Sequence, residues 1–294
     1  MTLDQFFATT YRPLRLRGRS ESTIRLYGCV IRQLSKWLER PAVVEDIGDE
    51  LLLAAFLEHR AMRHSPWTVE KERSQLLALA RLAFERRLLE RMPSCPPTPL
   101  PHRTPTSWTS DELLRLYRAT TKVQGFVGGV PAATWWLAAI SLAYESGERI
   151  GALLRCQQSD LRGDTLTVPA AARKGRRADR VVTLSAETVA ILRRARAAGR
   201  PELLWWPLNR PYLWLRLKGI LAGAGLSGRR VGFHQLRRTG ASFYSAAGGS
   251  AADYLGHGHG SGEKVAAAWY VDPRLQRKQP AWSLLPRLGN PPQN

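Results

Sequence analysis

The chain has little that could crosslink it. Of its 294 residues only Cys29, Cys95 and Cys156 are cysteines, and no two form a CxxC pair. This argues against a disulfide framework and a thiolate zinc site, and fits a reducing compartment. No apolar run reaches the length of a bilayer span, and the opening MTLDQFFATTYRPLRLR lacks the basic-then-apolar order of a secretory leader. The expectation is a cytoplasmic, nucleoid-associated protein with no membrane partner. There is no phosphate-binding P-loop and no carboxylate cluster. Above all the chain is short of acid: 24 Asp and Glu stand against 44 Lys and Arg, a net charge of +20. That balance calls for a polyanion, nucleic acid before an anionic membrane. The excess is uneven, about +4 over residues 1–92 and about +16 over 93–294, so the polyanion matters most to the C-terminal part. Lysine is scarce as well, and the arginines that replace it suit bidentate phosphate contact.

The length predicts two domains. Between them, 93–107 holds six prolines in fifteen residues, a composition that forbids helix and central strand and reads as an extended linker. Residues 1–92 read as a small helical bundle. A short helix from Thr2 to Thr10 should stop before Pro13. In STIRLYGCVIRQLSKWLER the apolar positions Ile24, Tyr27, Ile31, Leu34 and Leu38 keep helical spacing behind a cap at Ser20 or Ser22. Asp49 opens a further helix, and Ser65-Pro66 opens the last. Arg12, Arg15, Arg17, Arg19, Arg63, Lys71 and Arg73 are expected on exposed faces, as a solvated surface or as phosphate contacts. His59 and His64 read as surface histidines.

The C-terminal domain should run from 108 to 288, with 289–294 a disordered end. Thr109 and Glu112 form a capping box. PAATWWLAAISLAYES, closed by Gly147, is apolar nearly all round and should be the central buried helix. Arg149 follows at once. TLTVP and RVVTL read as strands flanking the basic turn AAARKGRRADR. Lys174 is the single lysine there, among Arg173, Arg176, Arg177 and Arg180, and unlike arginine it can give up a proton; a solvated phosphate-touching loop is the plainer reading. Helices capped by Ser185 and opened at NRPYLWLRLKGILAGAG follow, then the basic loop GLSGRRVGF. HQLRRTGASFYSAAG places His234 and Arg237 on one helix face. Then come SAADYL, the glycine-rich LGHGHGSGEK with His257 and His259, and VAAAWYVD with Trp269 and Tyr270. Alone, Tyr270 reads equally as a core tyrosine, and without a Cys or carboxylate cluster the two histidines make a poor metal pair.

Taken in order, these pieces resemble the tyrosine recombinase (phage integrase) family over nearly the whole chain. SGERIGALLRCQQSDL resembles its first-arginine box, HQLRRTGAS its His-x-x-Arg box and YLGH its second-histidine box. The resemblance implies a mainly α protein with a small β-sheet: a helical core-binding bundle followed by an α-rich catalytic domain. It implies that Arg149 and Arg237 hold the nonbridging oxygens of a scissile phosphate. Tyr270 would attack phosphorus to give a 3′-phosphotyrosine, His234 would help take its proton, Lys174 would protonate the leaving 5′ oxygen, and His257 would bond a phosphate oxygen. Neither metal nor ATP is implied, because the bond energy stays in the covalent link. The implied partners are double-stranded DNA and further copies of the chain, as a tetramer on paired sites.

The auxiliary candidates are His259 and Trp269, and the expected DNA contacts are Arg173, Arg176, Arg177, Arg229, Arg230 and Arg238. The chain also departs from the family pattern. Ala152 stands where an acidic residue is common, so Glu148 or Glu145 is expected to hold Arg149. Arg238 stands where histidine is usual, and the loop from His257 to Tyr270 is lengthened. The tail VDPRLQRKQPAWSLLPRL either docks on another subunit or packs on its own domain. A non-catalytic DNA-binding protein of the same fold and a type IB-like topoisomerase are the competing functions.

Overall fold

The computed structural model describes residues 1–101, 104–173, 178–228, 232–257 and 261–276. Its contacts divide the chain into two units, Met1–Arg103 and Thr104–Asn294. Among the described residues no helix is long and apolar enough to cross a membrane.

The first unit is helical. It comprises α1 (Leu3–Phe6), α2 (Arg12–Arg15), α3 (Glu21–Trp37), α4 (Glu50–Ala61) and α5 (Pro66–Glu85). The caps are those that the sequence offers: the Ser20 hydroxyl accepts from Thr23 N at the start of α3, and the Asp49 carboxylate accepts from Leu51 N and Leu52 N at the start of α4. The helical periodicity buries Leu3, Phe6, Ile31, Leu34, Phe56, Leu76 and Leu79 in one core.

Two expectations fail here. The N-terminal helix does not stop before Pro13. Residues Phe7–Tyr11 form a π-helical turn in which Arg12 N–H donates to the Phe7 carbonyl, five residues back. That widened turn accommodates a ring which in a regular helix would strike the carbonyl four residues earlier. Arg73 is not a free surface cation either. It forms a two-pronged ion pair with Glu70 and donates to the Cys95 carbonyl. Glu70, held chiefly by that guanidinium, has its pKa lowered to about 2 and also accepts from Thr98 N. The start of the proline-rich stretch is therefore fastened to α5.

The second unit is built on α7 (Ala132–Ser146). Its Trp135, Trp136, Leu142 and Ala143 are buried, and α6 (Ser110–Thr121), α9 (Ala186–Arg194) and α11 (Phe233–Ala246) pack around it. The remaining helices are α8 (Ile150–Leu153), α10 (Arg210–Gly223), α12 (Ala251–Leu255) and α13 (Ser261–Trp269). A short hairpin, β1 (Phe126–Val127) with β2 (Val130–Pro131), precedes α7. The sheet is antiparallel in the order β3 (Leu161–Arg162), β4 (Thr165–Val168), β5 (Arg180–Thr183), with Leu166 opposite Val182. The sequence predicted β4 and β5. The two-residue strands β1, β2 and β3 carry too short a pattern to be read as strands.

Tyr254 joins α7, α11 and α12. Its hydroxyl donates to the Tyr144 carbonyl, and its ring stacks on Tyr244 at 5.7 Å. Gly147 closes α7 in the left-handed conformation, φ 60°, with Tyr254 against it. Gly240 on α11 is packed so closely that a Cβ there would fall on the Tyr254 hydroxyl. Gly240→Ala should therefore destabilise this unit by about 1–3 kcal/mol through overpacking. Gly219→Ala on α10, where a Cβ meets nothing within 4 Å, should be neutral or stabilising by up to about 1 kcal/mol. Denaturant unfolding of the two variants checks the contrast.

Candidate active site

Two sides of helix α11 bear directly on the site. Phe233 and Leu236 enter the core, while His234 and Arg237, one turn apart, face a cluster at the ends of α7, α12 and α13. Arg237 is 1% exposed and makes no ion pair among the described residues. It donates instead to the carbonyls of Gly147, which ends α7, and Leu255, which ends α12. These are helix C-terminal carbonyls, whose partial negative charge favours a cation. Its Nη2 also lies 3.1 Å from His257 Nε2. A guanidinium only donates, so His257 Nε2 accepts and the ring proton belongs on Nδ1. Burial, and then the charge of Arg149, pull the Arg237 pKa down to about 10, still cationic near neutrality. Its Nε is buried without a hydrogen-bond partner among the described residues.

Tyr270 follows the last residue of α13, its N–H donating to the Ala266 carbonyl. The side chain is buried at 8% exposure. Its ring centroid is 5.3 Å from that of His234 and 5.1 Å from that of His257, and the Arg237 guanidinium carbon lies 5.4 Å from it. One chain thus brings its own tyrosine, two histidines and arginine together. Burial, then the charges of Arg237 and Arg149, lower the His257 pKa to about 4. His234 is lowered to about 4 by desolvation, then by Arg238, Arg237 and Arg149. Because His234 as a residue is exposed, solvent weakens the desolvation part, and the arginine charges secure the direction. Both imidazoles are neutral near pH 7, able to accept a proton.

Arg149 caps α8 and is half-buried. It acts on His234, Arg237 and His257 through its charge. The expected acidic support for it is absent. Glu145 accepts from Ser185 N, Ser185 Oγ and Thr188 Oγ1, capping α9. Glu148, 2% exposed, takes Arg173 at 2.8 Å and Arg180 at 3.3 Å and accepts only the main-chain N–H of Arg149. Arg173, expected on DNA, is turned inward: besides Glu148 it reaches the carbonyls of Ala178 and Gly256. Arg180 reaches those of Ser146, Asp253 and Tyr254. Arg238 is half-buried beside Arg237, and Trp269 is exposed. Lys174, Arg176, Arg177, Arg229, Arg230 and His259 lie outside the described residues.

Two residues with no place in the sequence reading stand behind Tyr270. Ser242 on α11 and Asp272 are both buried and bonded to the segment that carries the tyrosine. The Asp-Pro pair at 272–273, a common turn opener, was their one sequence signal.

A family model described as the phage integrase family matches residues 107–273. No curated protein matches the chain in sequence. Among solved structures it is similar to a lambda integrase dimer bound to a COC′ core site, with TM-score 0.73 and 21% identity over 91% of this chain and 95% of that one. It is similar to the XerH site-specific recombinase bound to difH, with TM-score 0.65 and 20% identity over 86% and 78%. It is also similar to the Tn1549 transposon integrase with a circular intermediate DNA, with TM-score 0.69 and 13% identity over 92% and 95%.

The depressed histidines have a thermodynamic consequence. In the unfolded chain they titrate near about 6.5, so between about pH 6.5 and about pH 4 the unfolded state binds more protons. Their contribution to stability is complete above about pH 6.5 and is lost as pH falls toward about 4. The unfolding free energy should drop between about pH 7.5 and about pH 5, and His257→Asn should flatten that slope, as read by denaturant titration at each pH.

Proposed function

The chain belongs to the phage integrase family, and from that premise we propose that it is a site-specific tyrosine recombinase, cutting and rejoining double-stranded DNA through a 3′-phosphotyrosine. The observation that carries the reading is the Tyr270 ring packed against two neutral imidazoles and against a buried arginine that has no ion-pair partner among the described residues. A buried cation without a carboxylate is costly unless an anion completes it. A phosphodiester is such an anion, and the net charge of +20 favours bringing DNA to it.

In this mechanism Arg237 and Arg149 bind the nonbridging oxygens and stabilise the charge that grows in the pentacoordinate transition state. The Tyr270 hydroxyl attacks phosphorus while a neighbouring imidazole, His234 foremost, accepts its proton. The bond to the 5′ oxygen breaks, and Lys174 is assigned the proton that this oxygen needs. His257 hydrogen-bonds a phosphate oxygen. Rejoining reverses these steps with a different 5′ hydroxyl. Each strand broken is conserved as a phosphotyrosine ester, so the cycle balances without ATP or a metal ion. Exchange between two duplexes breaks four strands, which assigns four active copies to the complete assembly. The first unit is assigned to clamping DNA and the second to catalysis.

DNA recovered by the protein from a random-sequence duplex pool, rebuilt with a nick beside the cleavage position, provides the test. The wild-type protein should form an adduct that survives a denaturing gel. Tyr270→Phe should abolish it with DNA affinity retained, and Arg237→Ala should slow it by about 100-fold or more. Binding without any adduct supports the non-catalytic alternative, and relaxation of unrelated supercoiled plasmid supports the topoisomerase. An adduct that persists in Tyr270→Phe refutes the assignment of the nucleophile.

A further inference from the structure

The side chain of Tyr270 meets the active-site cluster, but its main chain is held by a different set of groups. Helix α13 cannot fix it alone. It has nine residues, fewer than the roughly 12–15 at which an isolated helix becomes even marginally stable in water. The support comes from α11. Gln235, Thr239, Ser242 and Ser245 are spaced by four, three and three residues, a single stripe beside the one that bears His234 and Arg237.

Two segments of chain bond to this stripe. One is the incoming segment at residues 106–108. Gln235 Nε2 donates to the Thr106 carbonyl, Trp108 N donates to Thr239 Oγ1 at 3.0 Å, and Ser107 Oγ lies 2.7 Å from Ser242 Oγ. The other is the chain around and after Tyr270. Asp272 N donates to Ser242 Oγ at 2.8 Å, the Tyr270 carbonyl lies 3.2 Å from the same oxygen, and Gln276 reaches Ser245 Oγ and the Ser242 carbonyl. The valence of the Ser242 hydroxyl is filled. It accepts from Ser107 Oγ and Asp272 N, and shares its one proton between the carbonyls of Tyr270 and Arg238. Asp272 closes the ring: its Oδ2 accepts from Ser107 N at 2.8 Å, and Arg274 neutralises it at 2.6 Å. Ser242 is 0% and Asp272 1% exposed, so water does not compete for these bonds.

We propose that Ser242 and Asp272 are positioning residues, forming a buried clasp that fixes the Tyr270 main chain to α11 and to the incoming segment. The proposal rests on Tyr270 being the nucleophile. A displacement of about 1 Å at a reacting group costs on the order of 100-fold in rate, so a short helix tied down on its C-terminal side is a sensitive point of control. Because residues 106–108 lead in from the proline-rich stretch, the clasp also makes the place of the nucleophile depend on where the incoming segment lies.

The test uses the full chain and the nicked duplex described above, with adduct formation followed at saturating DNA and the dissociation constant measured separately. Asp272→Asn and Ser242→Ala should slow adduct formation by about 10- to 100-fold, with affinity within about twofold of wild type and an unchanged requirement for Tyr270. Ser107→Ala, at a half-buried position that leaves the Asp272 contact to its own N–H in place, should slow it by about 3- to 10-fold, the cost of one neutral hydrogen bond. It also serves as the test where the other two variants do not fold. If wild type forms no adduct through Tyr270, the recombinase reading falls and the clasp with it. If wild type reacts through Tyr270 and the folded variants react at its rate, or lose rate only in proportion to lost DNA affinity, the clasp alone is overturned.

Discussion

The guanidinium of Arg237 is the constraint around which the second unit is arranged. It is a cation sunk almost completely in protein, with no ion-pair partner among the described residues. What makes that tolerable is the convergence of two helix ends, the Gly147 carbonyl from α7 and the Leu255 carbonyl from α12, each with the partial negative charge of a helix C-terminus. Those ends must meet at one point, which requires the close approach of α11 and Tyr254 at Gly240 and Gly147. The packing of three helices and the placing of one charge are therefore a single problem. The same guanidinium fixes the tautomer of His257, and its charge adds to burial in keeping both imidazoles neutral.

Glu148 performs the complementary task with the opposite sign. It is a buried carboxylate with two arginines on one oxygen, and those arginines flank the basic turn, one on each side. Between them Arg173 and Arg180 also engage the carbonyls of Ser146, Asp253, Tyr254 and Gly256. The two ends of the turn are thereby tied to the ends of α7 and α12, the same helix ends that cradle Arg237. Removing Glu148 would leave two largely buried guanidiniums without their carboxylate, a loss much larger than the net value of the pairs. Ala152 leaves the position three after Arg149 without a carboxylate, and Glu148 binds Arg173 and Arg180 rather than the Arg149 side chain.

What could be read from the sequence follows the range of the interactions. Caps at Ser20, Asp49, Thr109, Ser185 and Asn209 are local, and the helices begin where they stand. The spacing of His234 and Arg237 is also local, so their common face was legible. The burial of α7 was legible because it lacks a polar face. The bonding of Arg173 and Arg73 was not, since a basic residue in a basic stretch looks the same whether its partner is solvent, DNA or a carboxylate far away in sequence. Pro13 misled because a proline's usual effect presumes a regular helix around it. The joint role of Ser242 and Asp272 was hidden for a similar reason: they bond to each other and to Ser107, which lies 135 positions from Ser242 and 165 from Asp272.

The three sides of α11 explain why fold and site cannot be separated in this unit. One side, with Phe233 and Leu236, is held by the core. The next presents His234 and Arg237 to Tyr270. The third, from Gln235 to Ser245, grips the chain on its way in and on its way out. A rotation of the helix that improved one set of contacts would spoil the other two, since all three are fixed to the same 3.6-residue period. The core therefore sets the angle at which the basic groups meet the tyrosine, and the polar stripe sets how far along the helix the tyrosine lies. Neither could do so alone: the apolar contacts of Phe233 and Leu236 are not directional, and the polar stripe has too little apolar surface to hold a helix in place.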